Sequence, residues 1–227
     1  MSERQLRKIR SFVRRPGRTT AAQRRALETL WPRFGIAAAT STLDLPTVFG
    51  RSAPVILEIG FGDGEALFTS AVNHPELDHL GIEVHEPGIG HLLILLERAG
   101  LTNVRLIAAD AVEVLGGGIE PKAVAAARLF FPDPWPKKRH HKRRIVQPEF
   151  AEKLARVLAP GGLAHFATDW AQYAEHIEGV MAQSERFAAL SPEAAAADPL
   201  SARPPTKFER RGRRLGHEVR DLFYRLR

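Results

Sequence analysis

The sequence predicts an α/β fold, a doubly wound and mostly parallel sheet of about seven strands with helices on both faces. From Val55 onward, short apolar runs alternate with stretches of helical periodicity. Glycines, prolines and carboxylates cluster where these runs end. Strands that alternate with helices form βαβ units, and ligands bind beyond the carboxyl ends of the strands in such sheets. The clustered polar residues therefore mark the candidate site.

Each element has its own local signal. Five apolar runs predict strands, at 55–62, 80–84, 104–110, 127–132 and 163–170, and a last strand is expected within 217–227. Pro87 suits the first turn of a helix that Gly100 ends. Phe150 and Leu154 share one face of a helix that stops at 160–162, and a further helix is expected over 171–183.

Composition limits the class of protein. A chain of 227 residues with 44% hydrophobic content fits a basic, disordered arm over residues 1–30 and a single domain over 31–227. The longest run of large apolar residues, 92–96, is far short of the roughly 20 needed to span a bilayer. The absence of Cys excludes disulfides and Cys-based metal sites. We expect a soluble, cytoplasmic protein that is a monomer or homodimer.

Positive charge is concentrated in three clusters. Residues 1–25 carry nine Lys or Arg and one Glu, a net charge of +8 against +7 for the whole chain. Residues 137–144 hold six Lys or Arg, and residues 203–214 hold six against a single Glu. Each cluster alone is also compatible with a solvated face or tail. Together they favour a polyanionic partner such as nucleic acid.

The glycine turn "GFGDG" follows the first of these strands and opens a helix. A dinucleotide-binding turn has the pattern GxGxxG, which would place its third glycine at position 65. That position is Glu65 here, so the pattern is GxGxG instead. Asp63 and Glu65 lie in the turn and Glu58 lies just upstream, which disfavours a pyrophosphate at this helix start. Acidic surroundings suit a cationic ligand such as S-adenosyl-L-methionine, which carries a sulfonium, an ammonium and no phosphate.

Carboxylates end the next two strands. Glu83, 23 residues after Gly60, is placed to accept hydrogen bonds from ribose hydroxyls, and Asp110 is placed to meet an adenine. Strand-end carboxylates are also often simple helix caps. Combined with the glycine turn, they favour a Rossmann-like class I methyltransferase fold that binds S-adenosyl-L-methionine.

The segment "ARLFFPDPWPKKRHHKRR", residues 127–144, carries the acceptor side of the prediction. Alternating prolines restrict the backbone around Asp133 and Trp135. Asp133 can accept from the N–H edge of a base. Trp135 either stacks on that base or covers the end of the sheet. The basic block that follows can hold the phosphates of the same nucleotide.

Five motifs carry a specific resemblance: "LEIGFGDGEAL", "GIEVHEPGIGHLL", "FFPDPWPKKRHHKRR", "ATDWAQYAEHI" and "TKFERRGRRLGH". Their order and spacing resemble the bacterial tRNA (guanine-N7-)-methyltransferase family over about residues 45–227. The first 30 residues and Ala194–Ala197 are outside this resemblance. It implies methyl transfer from S-adenosyl-L-methionine to N7 of guanosine 46 in the tRNA variable loop.

The resemblance also implies roles for individual residues. The cofactor contacts would be Glu58, Gly60, Gly62, Glu83, Asp110 and Asp133, with Asp133 also catalytic. The substrate contacts would be Lys137, Asp169, Thr206, Lys207, Phe208 and Glu209. The RNA contacts would be Arg139, His140, His141, Lys142, Arg143 and Arg144.

The expected chemistry needs no general base, because N7 of neutral guanine carries a free lone pair. Asp133 and Asp169 are expected to orient the base and stabilise its developing positive charge. No metal site is expected, because His140 and His141 lie in a cationic loop, and the other histidines lack paired ligand spacing. Two alternatives remain open: a methyltransferase for another base or for a protein, and a non-catalytic RNA-binding protein on the same fold.

Overall fold

The computed structural model describes residues 11–12, 18–37 and 42–227, and these form an eight-stranded sheet with the order β1-β4-β3-β2-β5-β6-β8-β7. The strands are β1 (Gly35–Ile36), β2 (Val55–Ile59), β3 (Asp78–Ile82), β4 (Val104–Ile107), β5 (Val124–Phe130), β6 (Leu158–Thr168), β7 (Phe187–Ala189) and β8 (Arg220–Leu226). Only β8 runs antiparallel to its neighbours β6 and β7. The mostly parallel α/β architecture is confirmed.

Helices cover both faces of the sheet. They are α1 (Ala21–Phe34), α2 (Leu45–Phe49), α3 (Glu65–Asn73), α4 (Glu86–Arg98), α5 (Ala111–Glu113), α6 (Pro148–Val157), α7 (Ala171–Gln183), α8 (Pro192–Ala196) and α9 (Lys207–Arg214). One apolar cluster joins α6 and α7 to the sheet, and another joins α1, α3 and α4 to it. Every residue of β2 is buried, as expected for a central parallel strand.

Helix α1 corrects the predicted boundary of the basic arm at residue 30. The helix begins at Ala21 with a capping box, in which Gln23 N donates to Thr20 Oγ1 and Thr20 N donates to Gln23 Oε1. Ala26 and Phe34 are buried against α4. The arginines of this segment lie on the exposed face of an amphipathic helix, so composition alone made it resemble a tail. The rest of the predicted arm, residues 1–10 and 13–17, lies outside the described residues.

Most predicted elements are present with shifted ends. The helix predicted over 171–183 is α7, and the last predicted strand is β8. Strand β6 starts at Leu158, five residues before the predicted start, because its first residues pair across a bulge with β5. The short strands β1 and β7 had no detectable pattern. No helix in the described part of the chain is both long and apolar enough to cross a membrane.

Candidate active site

A cavity of about 690 Å³ opens at the carboxyl ends of β2, β3 and β5 and beside α9. Its volume lies within the roughly 300 to 1,000 Å³ usual for small-molecule sites. Seven of the predicted site residues line it: Gly60, Gly62, Glu83, Asp110, Asp133, Lys207 and Phe208. The fold therefore brings the predicted cofactor and acceptor elements to one place.

The glycine turn forms one wall of the cavity with a backbone that side chains would obstruct. Gly60, Gly62 and Gly64 have φ values of 69°, 62° and 79°, in the left-handed region. Gly88 of α4 approaches the turn so closely that a Cβ there would lie 1.9 Å from the carbonyl oxygen of Gly62. The turn and the start of α4 are thus packed backbone against backbone.

Glu83 holds this arrangement together. Its Oε2 accepts a 2.8 Å hydrogen bond from Gly62 N, and its Oε1 accepts from Val84 N at 2.6 Å and His85 N at 3.0 Å. A carboxylate oxygen has two lone pairs, so Oε2 retains one acceptor site. Glu83 can therefore accept from one ribose hydroxyl without losing a backbone hydrogen bond.

Asp110 both caps a helix and lines the cavity. Its Oδ1 accepts a 3.0 Å hydrogen bond from Val112 N and so caps α5. The residue also lines the cavity. The cap orients the carboxylate and leaves Oδ2 available to a ligand.

The cavity wall is predominantly acidic. Asp63, Glu65, Glu83, Asp110 and Asp133 all line it. The ammonium of Lys207, which also lines it, lies 2.5 Å from Asp63 Oδ2 and is neutralised there. This charge distribution favours a cationic ligand and opposes a phosphate group.

Glu58 lies beneath the main cavity. It is 4% exposed and borders a small neighbouring pocket of about 30 Å³ together with Thr206. Burial raises the pKa of Glu58 to about 7. The Arg128 guanidinium limits this rise, whereas the negative charges of Asp63 and Glu83 add to it. Glu58 does not line the main cavity, and its predicted contact with the cofactor stays a prediction.

The acceptor loop leaves β5 with a strained backbone. Phe131 and Trp135 have φ values of 50° and 44°, two of the three non-glycine residues with positive φ in the described chain. They bracket Asp133. Arg144 holds this loop, since its Nε donates to Pro134 O at 2.9 Å and its guanidinium packs over the Tyr173 ring.

Trp135 is engaged by the protein itself. The Arg143 guanidinium lies 4.0 Å from the centroid of its ring, and the His140 ring packs edge-on at 5.9 Å. Its Nε1 donates a 3.1 Å hydrogen bond to Ser11 O. These contacts support the packing role and leave less surface for stacking on a base.

Comparison with known proteins places this geometry in a family. A family model described as "Putative methyltransferase" matches residues 52–222. A tRNA (guanine-N(7)-)-methyltransferase of Alkalilimnicola ehrlichii is 57% identical over 97% of this chain and 94% of the relative. One from Halorhodospira halophila is 53% identical over 98% of this chain and 97% of the relative. The chain belongs to the tRNA (guanine-N(7)-)-methyltransferase family.

Solved structures support the fold. The chain resembles the 16S rRNA methyltransferase KamB with a TM-score of 0.57 at 18% identity, over 82% of this chain and 95% of that one. It resembles an aminoglycoside resistance methyltransferase with a TM-score of 0.54 at 15% identity, over 81% and 92%. The class I methyltransferase fold predicted from the motifs is confirmed.

The relatives correct the predicted extent of the resemblance. Alignments over 97% and 98% of the chain include most of residues 1–44, which the motifs had left out. This segment is rich in Arg but contains no distinctive motif, so its similarity is visible only in a full alignment.

Two family positions expected at the substrate serve the structure of α9. Thr206 caps the helix by accepting a 3.1 Å hydrogen bond from Glu209 N. Glu209 is 4% exposed and forms ion pairs with Arg203 and, at 2.6 Å, with Arg213. These contacts orient α9 and place its first turn, with Lys207 and Phe208, on the cavity wall.

Asp169 and Lys137 lie outside the residues that line the cavity. Asp169 follows β6 and packs against α9, where a Cβ on Gly212 would lie 2.7 Å from its Oδ2. Its Oδ2 is 3.3 Å from His217 Nδ1. Lys137 is exposed just after the acceptor loop. Their roles toward a substrate stay predictions.

The predicted RNA-contacting block is exposed or partly exposed except at its last residue. Arg139 and Lys142 are exposed, and His140, His141 and Arg143 are partly exposed. Arg144 is only 3% exposed, and its guanidinium binds the acceptor loop. In this structure the Arg144 side chain thus packs into the protein instead of facing solvent, and its predicted contact with RNA stays an untested prediction.

Sequence reasoning missed two arginines that support the site from below. One of them, Arg128, could have been noticed because it interrupts an apolar run. Arg128 lies in β5, is 2% exposed and donates to Ser70 Oγ and to the carbonyls of Leu200 and Ala202. Arg203 pairs with Asp221 and Glu209 beneath α9. Phe131, which lines the cavity, was also missed, and its left-handed backbone could be found only in the structure.

Metal ligands are not grouped anywhere in residues 11–12, 18–37 and 42–227: no three His, Asp or Glu side chains are arranged to hold an ion.

Proposed function

We propose that the protein transfers a methyl group from S-adenosyl-L-methionine to N7 of guanosine 46 in the variable loop of tRNA. The observation that carries this proposal is the acidic cavity at the strand ends, with Asp133 on its wall and the basic block directly after it. The names of relatives that are 53% and 57% identical support guanine N7 of tRNA as the acceptor.

The residues of the cavity fit the methyl donor. The glycine turn offers a surface without side chains at Gly60 and Gly62, Glu83 retains an acceptor site for a ribose hydroxyl, and Asp110 Oδ2 is oriented by its cap. The surrounding carboxylates favour the ammonium and the sulfonium. When bound, S-adenosyl-L-methionine supplies an electrophilic methyl group.

The chain's own contribution is positioning and electrostatics. Asp133 accepts hydrogen bonds from the N1–H and the exocyclic amine of guanine and so directs N7 toward the methyl group. The negative charge of Asp133 stabilises the positive charge that the ring gains. No proton has to be removed before attack, so Asp133 acts without serving as a base.

The basic block binds the backbone of the same RNA. Arg139 and Lys142 are exposed beside the acceptor loop and can neutralise phosphates close to the target nucleotide. Phosphate contacts fix the register of the RNA, while the contacts of Asp133 select guanine.

The decisive assay uses unmodified tRNA and labelled S-adenosyl-L-methionine, with the methylated base mapped. We expect label at N7 of guanosine 46 and loss of label in a transcript with adenosine there. Methylation at another guanine would contradict the position, and preferred methylation of rRNA, DNA or protein would contradict the substrate. Binding of tRNA without cofactor binding, measured by calorimetry, would indicate a non-catalytic RNA-binding protein.

Asp133→Asn is expected to reduce kcat by about 100-fold or more, because it removes the charge opposite the developing cation. Glu120→Gln is the matched control: it removes one exposed carboxylate that precedes β5 at the opposite edge of the sheet. Single-turnover methylation separates the chemical step from binding. Near-normal turnover of Asp133→Asn with an intact fold would exclude the assigned role.

A further inference from the structure

The arginines of helix α9 fall into two groups. Arg210 and Arg213 are in ion pairs, with Glu65 at 3.2 Å and Glu209 at 2.6 Å. Arg211 and Arg214 are exposed, and within the described part of the chain the guanidinium group of neither has a hydrogen-bond or ion-pair partner. Only the second pair therefore offers uncompensated charge to solvent.

The unpaired arginines adjoin the cavity through the helix itself. Arg211 lies one turn after Lys207, and Arg214 lies three residues further, so the three side chains are neighbours on the helix surface. Lys207 lines the cavity. Arg211 and Arg214 thus lie about 6 Å and about 10 Å along the helix axis from Lys207 at the cavity wall.

Exposed apolar side chains flank these charges. Phe208 is 46% exposed and Leu215 is 62% exposed; they are two of the three exposed large hydrophobic residues in the described chain. Phe208 also lines the cavity and stacks on Phe131 with ring centroids 6.3 Å apart. A surface that alternates free guanidinium groups with exposed apolar side chains matches a nucleic-acid strand, which presents phosphates beside sugars and bases.

The charge of the cavity favours such a surface. Its carboxylates attract a cationic cofactor but repel the phosphates that flank a target base. Cations beside the entrance, unpaired within the protein, offset this repulsion. Arginine suits the task because its planar guanidinium can donate two hydrogen bonds to one phosphate.

We propose that Arg211 and Arg214 bind phosphates of the substrate RNA close to the methylated nucleotide, and that Phe208 and Leu215 pack against its sugar or base. This inference rests on the proposed function, since it takes tRNA as the substrate. It assigns the arginines of α9 two roles: Arg210 pairs with Glu65 at the start of α3, and the unpaired arginines contact RNA.

The test compares two charge-matched double variants. Arg211→Ala/Arg214→Ala removes the proposed contacts, and Arg98→Ala/Arg186→Ala removes two exposed arginines near the opposite, amino-terminal edge of the sheet. The dissociation constant of tRNA is measured over a salt series. For the α9 variant we expect affinity to fall about tenfold and the slope of log K against log salt to fall by about 2, one per lost phosphate contact.

The control variant should keep the wild-type slope, and both variants should keep the wild-type affinity for S-adenosyl-L-methionine. Equal slopes in the two variants would overturn the inference, because they would indicate a general effect of net charge.

Wild-type methylation of the same tRNA is measured in parallel. If the wild type methylates the tRNA and the α9 variant keeps the wild-type salt slope, only this inference is refuted. If the α9 variant has a reduced slope but the wild type does not methylate the tRNA, only the proposed function is refuted. Failure of the wild type to bind tRNA refutes both.

Discussion

Glu58 illustrates how a residue can matter to a site without lining it. It lies in the fully buried strand β2, where loss of hydration disfavours the charged carboxylate. Burial raises its pKa to about 7, and Arg128 on the neighbouring strand limits the rise. The residue therefore changes charge near neutral pH directly beneath the glycine turn.

Stability should reflect this titration. Between pH 4.5 and about 7 the folded state holds a proton on Glu58 that the unfolded state has released, so this group makes the free energy of unfolding fall as pH rises. The free energy of unfolding of Glu58→Gln, measured relative to that of wild type, should therefore rise by up to about 3 kcal/mol between pH 4.5 and pH 8.

Urea denaturation of both proteins at several pH values measures that difference. Other titrating groups contribute equally to both proteins, so their effects cancel in the difference. One of them is His79, whose pKa is lowered to about 3 by burial and whose effect on stability has the opposite sign. A difference in unfolding free energy that does not change with pH would show that Glu58 is charged throughout this range.

At the scale of elements, the site depends on close contact between pieces that are distant in sequence. Helix α4 reaches the glycine turn only because Gly88 has no side chain. Helix α9 packs closely on Asp169 at Gly212, where an added Cβ would lie 2.7 Å from Asp169 Oδ2. The acceptor loop is held by Arg144, ten residues after Pro134. Each contact positions one wall of the cavity.

Gly88→Ala should therefore destabilise the protein by about 1 to 3 kcal/mol, because its Cβ would overlap the Gly62 carbonyl and force the turn away. Cofactor affinity should fall with it, measured by calorimetry beside urea denaturation.

Gly179→Ala is the control for the same substitution. Gly179 is exposed in α7 with no atom within 4 Å of an added Cβ, so alanine there should stabilise the helix by about 0.5 to 1 kcal/mol. Equal effects at the two positions would contradict the role assigned to close packing at Gly88.

For the whole molecule, the distribution of charge separates the tasks of the two ligands. The cavity carries carboxylates, while the basic block at 138–143, helix α9 and the first 25 residues carry positive charge. Trp135 Nε1 donates to Ser11 O, which connects the amino-terminal segment to the acceptor loop.

Deletion of residues 1–18 should weaken tRNA binding and flatten its salt dependence, because it removes seven Lys or Arg and one Glu. Stability should change little, since the deletion stops before the cap of α1 at Thr20. Deletion of residues 1–34 should in addition lower stability by removing Phe34 from the core. Filter binding and thermal denaturation measure the two effects, and an unchanged salt slope would exclude the segment from RNA binding.

The sequence predicted the features that depend on local pattern. Alternating strands and helices follow from periodicity, and the placement of Glu83, Asp110 and Asp133 follows from the rule that parallel strands end at one edge of the sheet. The helix over residues 21–30 was missed because the segment was judged by its charge, although Ala26 and Phe34 form a buried apolar face on that helix.

What the amino-acid pattern determined about this protein is its architecture, its family and the chemical character of its cavity, because these depend on residue types at short spacing. Only the tertiary structure decided which charged groups are available to a ligand. Arg144, Thr206 and Glu209 bind the protein itself, whereas Arg211 and Arg214 face solvent. That division arises from contacts between distant segments, and adjacent arginines in one motif can therefore have opposite roles.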